Sequence, residues 1–266
     1  MFRQGGNDLI LHKKIIVNIS FNAWTLNDVD NKRLTRDWIS SRMDIFMRFT
    51  AKNLMSQTNK NFDVVIQYEN ESQDIIFEEL NRYPKLPSNF HFVSKKEYSH
   101  EVEKLINGYT YTYITRLDSD DMFDIDFFEM LHQYVPAKNT AVLICQNGYR
   151  YNYTDGTLAT FNKESPPFYT LIYKTKDYLA GKRHEFHGHR ELINLPHEII
   201  GYRCFCVTVH TQNTTTNFNL YKTDRVIDDE IVKKIVLKKF LPSKQPMLLR
   251  HITNLSRKVI KYSERV

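Results

Sequence analysis

Three carboxylates, Asp118, Asp120 and Asp121, crowd into "RLDSDD" directly after the strand-like run "YTYIT". Like charges this close repel and do not ionise comfortably together, so a cation or a basic side chain is expected among them. Three chemistries compete for the cluster. A helix cap would use acidic residues ahead of "FFEMLHQY", but one aspartate suffices for that. A calcium loop would take Asp118, Asp120, Asp124, Asp126 and Glu129 at positions 1, 3, 7, 9 and 12 of an EF-hand frame. That frame needs glycine and an oxygen ligand where Phe123 and Met122 stand, and a helix where the strand lies. The third chemistry is a hard divalent cation, Mg²⁺ or Mn²⁺, that takes carboxylate oxygens and keeps positions open for phosphate. Such an ion would neutralise a diphosphate leaving group.

A second unusual stretch, "GKRHEFHGHRELINLP", gathers His184, Glu185, His187, His189, Arg190 and Glu191. It holds no H-E-x-x-H and no cysteine pair lies near it in sequence, so it does not read as a zinc site. It reads as a loop lining a pocket.

The elements that would position these residues alternate. "KKIIVNISF", "DVVIQY", "NFHFVS" and "YTYIT" read as strands. Trp38, Met43, Phe46, Phe49 and Leu54 give residues 34–57 one apolar helical face. "SQDIIFEELNRY" reads as a second helix, and "SHEVEKLINGY", opened by Ser99 and closed by Gly108, as a third. Asp126 and Glu129 have capping-box spacing for a fourth. This β-α-β alternation predicts a mostly parallel central sheet with helices on both faces. In such sheets ligands bind beyond the carboxyl ends of the strands, where Asp118 to Asp121 would sit. Further on, "TAVLICQNGYRYN" and "GTLATFN" read as two strands joined through "YTDG".

Composition sets the outer limits. The 266 residues are 41% hydrophobic and 13% aromatic, which describes a folded chain. Three cysteines are too few for a disulfide framework and suit a reducing cytoplasm. Cys204 and Cys206 are expected on one face of a strand as small apolar residues. The N-terminal apolar run "LIL" is broken by His12, Lys13 and Lys14, which predicts no signal peptide. No run approaches the roughly 18 apolar residues of a membrane span. The net charge of +6 is carried by residues 222–266, with 12 Lys and Arg against 5 Asp and Glu. The body lacks basic residues interleaved with aromatics, so no nucleic-acid partner is expected. Residues 1–221 are read as one domain. Residues 222–266 are read as a basic helical extension, a structural cap or a peripheral contact with the inner face of an anionic membrane.

"RLDSDD" at a strand end is similar to the DxD motif of GT-A glycosyltransferases of the family-2-like kind. Trp38, Arg42, Phe46, Thr50, Leu54, Gln57, Asn61 and Phe62, with "TRLDSDD" and "VTVHTQNTTT", resemble the bacterial rhamnosyltransferase branch over roughly residues 13–218. The resemblance implies a GT-A α/β fold and a metal-dependent inverting transfer of a sugar from a nucleotide-diphosphate donor. The acceptor would be the hydroxyl of a glycan or a lipid-linked precursor. It implies that Asp118 binds the ribose and that Asp120 binds Mn²⁺ or Mg²⁺ with Asp121 beside it. His210 would complete the metal site, with Asn213 close behind. Ser20, Asn22 and Glu69 would flank the nucleoside. Arg42 and Arg116 would meet phosphate or pair with buried carboxylates. An inverting transfer needs a base near the attacking hydroxyl, and Glu191, His187 and His189 are the candidates. The common acidic motif for that role is absent. Two other classes stay open: a nucleotidyltransferase acting on sugar phosphates, whose Gly-rich basic loop "SFNAWTLND" lacks, and a non-catalytic carbohydrate-binding protein.

Overall fold

The computed structural model describes residues 12–23, 30–210 and 224–242. The chain opens with β1 (Lys13–Ser20), four of whose residues are fully shielded aliphatics or nearly so, as a central strand requires. The expected long helix follows as α1 (Arg36–Phe46), a π-helical turn over Met47–Ala51, and α2 (Lys52–Met55). The widened turn lies where polar side chains reach inward. Thr50 Oγ1 donates to the Asp121 carbonyl at 2.9 Å, and Asn53 Nδ2 donates to Phe123 O and Phe240 O at 2.7 Å each. π turns of this kind gather at functional sites, and here one braces the segment that carries the acidic cluster.

Then come β2 (Asp63–Tyr68), α3 (Gln73–Leu80), β3 (Phe90–Ser94), α4 (Tyr98–Ile106) and β4 (Tyr111–Arg116). Gly108, just past α4, has φ +86°, the left-handed conformation that ends helices. After the acidic turn lie β5 (Met122–Phe123) and α5 (Phe127–Gln133), and next β6 (Val142–Cys145), β7 (Asn147–Asn152) and β8 (Leu158–Asn162). The remaining described elements are β9 (Tyr169–Lys174), α6 (Thr175–Leu179), β10 (His197–Ile200), β11 (Phe205–Val209) and α7 (Glu230–Lys238).

The architecture is mixed α/β. A seven-stranded sheet runs β10-β6-β9-β4-β1-β2-β3, with β9 antiparallel to both neighbours and the other pairings parallel. A smaller sheet runs β5-β11-β7-β8. From β1 the chain proceeds outward to β2 and β3 and then returns to place β4 on the other side of β1. The order of strands therefore reverses at the β1–β4 boundary, and the acidic turn leaves the carboxyl end of β4 there.

Two expectations are corrected. Residues 140–152 are not one strand, because the chain changes sheets at Gln146: β6 belongs to the large sheet and β7 to the small one. Gly148 permits the crossing, since a Cβ there would lie 2.4 Å from the Phe205 ring. Cys204 and Cys206 do not share an environment. Regular strand geometry begins at Phe205, so Cys204 packs in the main core with Cys145, and Cys206 packs beside Met122 and Tyr149. All three cysteines are buried and free.

The basic extension is continuous with the body as far as it is described. Ile227 N donates to Leu158 O, and Val236 and Phe240 are buried against Phe49, Tyr149 and Leu158. The expected second helix of the tail lies outside the described residues. Among the described residues no helix is long and apolar enough to cross a membrane.

Candidate active site

The acidic turn is built by the strand before it and the sheet beside it. Leu117, fully buried, donates its N–H to Asn18 O and extends β4 along β1. Asp121 N then donates to Asp118 O at 3.2 Å, which closes a tight turn. The three carboxylates separate into three environments. Asp118 is only partly buried, and its Oδ1 accepts from Arg116 Nη2 at 3.0 Å. The Arg116 guanidinium also bonds Tyr169 on the neighbouring strand.

Asp120 is buried, and its Oδ2 lies 2.7 Å from Arg42 Nη1 and 3.1 Å from His210 Nε2. Burial alone would raise the Asp120 pKa, but Arg42 and His210 outweigh it and hold the carboxyl below its ordinary value. Arg42 is itself set by the face of Trp38, with its guanidinium carbon 5.1 Å from the ring centroid. Asp121 points the other way, and its Oδ1 accepts the Thr208 N–H of β11 at 2.9 Å. Burial, with Asp120 and Asp118 close by, holds its carboxyl well above the usual carboxylate range. This buried acid ties β11 to the turn two residues before His210.

The expected metal set therefore comes together only in part. Asp120 and His210 meet, while the Asp121 carboxylate is spent on the β11 backbone. Among the described residues no three His, Cys, Asp or Glu side chains form a metal-holding group. Asp120 and His210 offer one carboxylate and one imidazole, donors that suit Mn²⁺ and leave most coordination positions to a diphosphate. Asn213 lies outside the described residues.

Asn22 does not face a ligand as expected. Its amide donates to Arg33 O at 3.2 Å and Ser72 Oγ at 2.9 Å, and its Oδ1 accepts the Glu69 N–H at 3.0 Å. Both amide protons are committed within the protein, so Asn22 braces the loops after β1 and β2. Ser20 ends β1 half-buried. The Glu69 carboxylate lies 3.0 Å from Lys95 Nζ and 3.5 Å from Arg33 Nη2.

The histidine loop folds back along β9. His184 stacks on Tyr173 with centroids 4.4 Å apart, and Phe186 meets the edge of Tyr169 at 6.3 Å. The loop thus runs from the far end of β9 toward Arg116. His187 and Glu191 pair with each other at the surface, 3.4 Å apart. His189 is different. It is half-buried, and its Nδ1 lies 2.6 Å from the Ser165 carbonyl, while the Ser165 hydroxyl donates to His189 O. A ring nitrogen this close to a carbonyl must carry the proton, which leaves the Nε2 lone pair available. Burial, helped by Lys163, Arg116 and Arg190, lowers the His189 pKa, so the ring is neutral at pH 7.

No family model matches the chain, and no curated protein matches it. Among solved structures it is similar to residues 1–349 of S. aureus TarS in complex with UDP-GlcNAc. That likeness has 11% identity and a TM-score of 0.44, over 76% of this chain and 60% of that one. It is also similar to 4-diphosphocytidyl-2C-methyl-D-erythritol synthase from Anaerococcus prevotii, with 11% identity, TM-score 0.33, and 75% and 90% of the two chains covered. HddC from Yersinia pseudotuberculosis in complex with GMP-PN gives 11% identity, TM-score 0.35, and coverage of 85% and 99%. The chain spans about three fifths of the TarS fragment. The architecture given above stands on its own strand order and pairings.

Sequence reasoning missed Arg33, Ser165 and Tyr169. Arg33 is buried and donates from Nε to Asn22 O at 3.0 Å, linking the loop before α1 to the end of β1. Nothing in its local sequence marks it. Tyr169 gains its role from strand pairing: β9 runs antiparallel to β4, with Thr170 opposite Thr115, which brings Tyr169 beside Arg116. Ser165 gains its role from the loop before β9, through its carbonyl and hydroxyl contacts with His189.

Proposed function

We propose that the chain is a metal-dependent, inverting glycosyltransferase of the GT-A type, taking a nucleotide-diphosphate sugar to a hydroxyl of a glycan or lipid-linked acceptor. The observation that carries this reading is the split acidic turn. The Asp118 side chain is 40% exposed and Asp120 is buried against His210, at the carboxyl end of β4 where the strand order reverses. Asp120 and His210 would hold Mn²⁺ or Mg²⁺, which would supply Lewis-acid stabilisation of the departing diphosphate. Asp118 accepts hydrogen bonds from the ribose hydroxyls, with Arg116 beside it to meet phosphate charge. Asp121 keeps β11, and so His210, in register with the turn. His189 is the base: its Nε2 takes the proton of the acceptor hydroxyl as attack begins, and its Nδ1–H stays on Ser165 O. His187 and Glu191, paired with each other in solvent, take no part. Rhamnose is the sugar that the motif resemblance implies.

Turnover of a panel of nucleotide sugars, a rhamnosyl donor included, tests the reading through its metal dependence. His210→Ala is expected to raise the half-saturating Mn²⁺ concentration about 10–100-fold, the range seen when metal-site support is lost. Unchanged Mn²⁺ dependence with a lowered melting temperature would make His210 a packing residue and remove it from the site.

The membrane contact belongs to the same proposal. On α7, Ile231, Val232 and Ile235 are 71%, 43% and 41% exposed, beside the exposed Lys234 and Lys238. Such a face suits an anionic bilayer, where each basic residue contributes about 1 kcal/mol. Val236 and Phe240 are core residues, so the contact is tested on the full-length protein. Full-length protein should co-sediment with anionic vesicles and less so at high salt. Ile231→Ser/Ile235→Ser should abolish co-sedimentation. Equal sedimentation with neutral vesicles, or by the double variant, would leave α7 as a cap only.

A further inference from the structure

At the opposite end of β9 from the acidic turn lies a pocket of about 270 Å³ that the proposed transfer does not use. Its walls carry Lys138, Lys174, Lys182 and Arg183, against a single carboxylate, Asp177. Lys182 is committed to Asp177 at 2.9 Å. Arg183 lies 3.4 Å above the Tyr178 ring centroid and donates to Tyr178 O at 2.6 Å, so its guanidinium is fixed in place. Lys138 and Lys174 are exposed at the rim, and neither enters an ion pair among the described residues. The surroundings are amphipathic: Tyr111 and Ile172 supply apolar surface, the buried Tyr173 contributes its edge beneath the His184 stacked on it, and Asn139 supplies an amide.

Excess positive charge over aromatic and amide groups is the chemistry of a sugar with an anionic substituent. The Tyr111 ring accepts the C–H side of a pyranose, the amide accepts hydroxyls, and the lysines meet the anion. We propose that this pocket is a second binding site, selective for a sugar bearing a phosphate or carboxylate group. It is separate from the acidic turn. Tyr111 pairs with Lys174 and Thr115 with Thr170, so the pocket and Arg116 lie at opposite ends of the same two strands. Five residue steps along β9, from Lys174 to Tyr169, cover about 17 Å. The site does not depend on the transferase reading, since it involves neither Asp118 nor Asp120.

Ligand-observed NMR on the full-length protein tests the proposal with glucose 6-phosphate, glucuronate, glucose and inorganic phosphate as probes. Glucose 6-phosphate and glucuronate should bind, each about tenfold or more tightly than glucose or inorganic phosphate. Lys138→Ala/Lys174→Ala should weaken both anionic sugars by about tenfold or more. Lys234→Ala/Lys238→Ala, which removes the same charge from α7, should leave them unchanged, as should Asp118→Asn. Failure of both anionic sugars to bind overturns the proposal. So does equal binding of inorganic phosphate, or equal loss in the α7 control. Loss in Asp118→Asn alone would assign the binding to the acidic turn and likewise overturn it.

Discussion

Arg42→Ala is expected to destabilise the protein by about 3–5 kcal/mol, the cost of removing one partner from a buried ion pair. Arg42 and Asp120 are both buried, 2.7 Å apart, so solvent screens neither charge well. The loss strands a carboxylate in the core beside His210. Denaturant unfolding at neutral pH measures it, and a second variant identifies the cause. Adding Asp120→Asn to Arg42→Ala removes the stranded charge, so the double variant should be more stable than Arg42→Ala alone. If the two effects simply add, the pair is not coupled, and Arg42 matters only through its packing on Trp38.

Asp120→Asn alone is expected to keep the fold at reduced stability, because Arg42 loses its buried counter-charge, and to lose function. The amide oxygen still accepts from Arg42, but the charge that would hold a divalent ion is gone. A metal that stabilises a leaving diphosphate contributes several kcal/mol to the transition state. Its loss should therefore lower turnover about 10³-fold, at 1.36 kcal/mol per factor of ten. The far-ultraviolet circular dichroism spectrum should be unchanged. Turnover undiminished at limiting Mn²⁺ would remove Asp120 from the chemistry.

Much of the scaffold was legible because buried parallel strands announce themselves. "IIVNIS" and "DVVIQY" have no other plausible home, and β2 occupies the residues expected of it. The acidic turn was legible for the same reason: a carboxylate cluster straight after such a strand must lie at its carboxyl end. What was not legible depends on partners remote in sequence. The change of sheets at Gln146 hides inside a run that is strand-like on both sides, and only the Phe205 ring against Gly148 shows why the chain turns there. Asp120 and Asp121 are set apart from Asp118 through contacts with Arg42, Thr208 and His210, which lie 78, 87 and 90 residues away from them. Asn22 follows the first strand, a position from which a side chain can face a ligand. Its amide is instead consumed by Arg33 and Ser72, a pairing that local sequence does not encode. His189 could be separated from His187 only through Ser165, whose carbonyl fixes the tautomer.

Under the proposed function a nucleoside diphosphate is held by Asp118 at its ribose and by Asp120 through a divalent ion. Calorimetric titration of nucleoside diphosphates into the full-length protein, with Mn²⁺ and with EDTA, tests it most directly. Saturable binding that needs Mn²⁺, weakens in Asp118→Asn and disappears in Asp120→Asn is the predicted result. Binding of equal strength in EDTA, or binding that survives Asp120→Asn unchanged, would contradict the account.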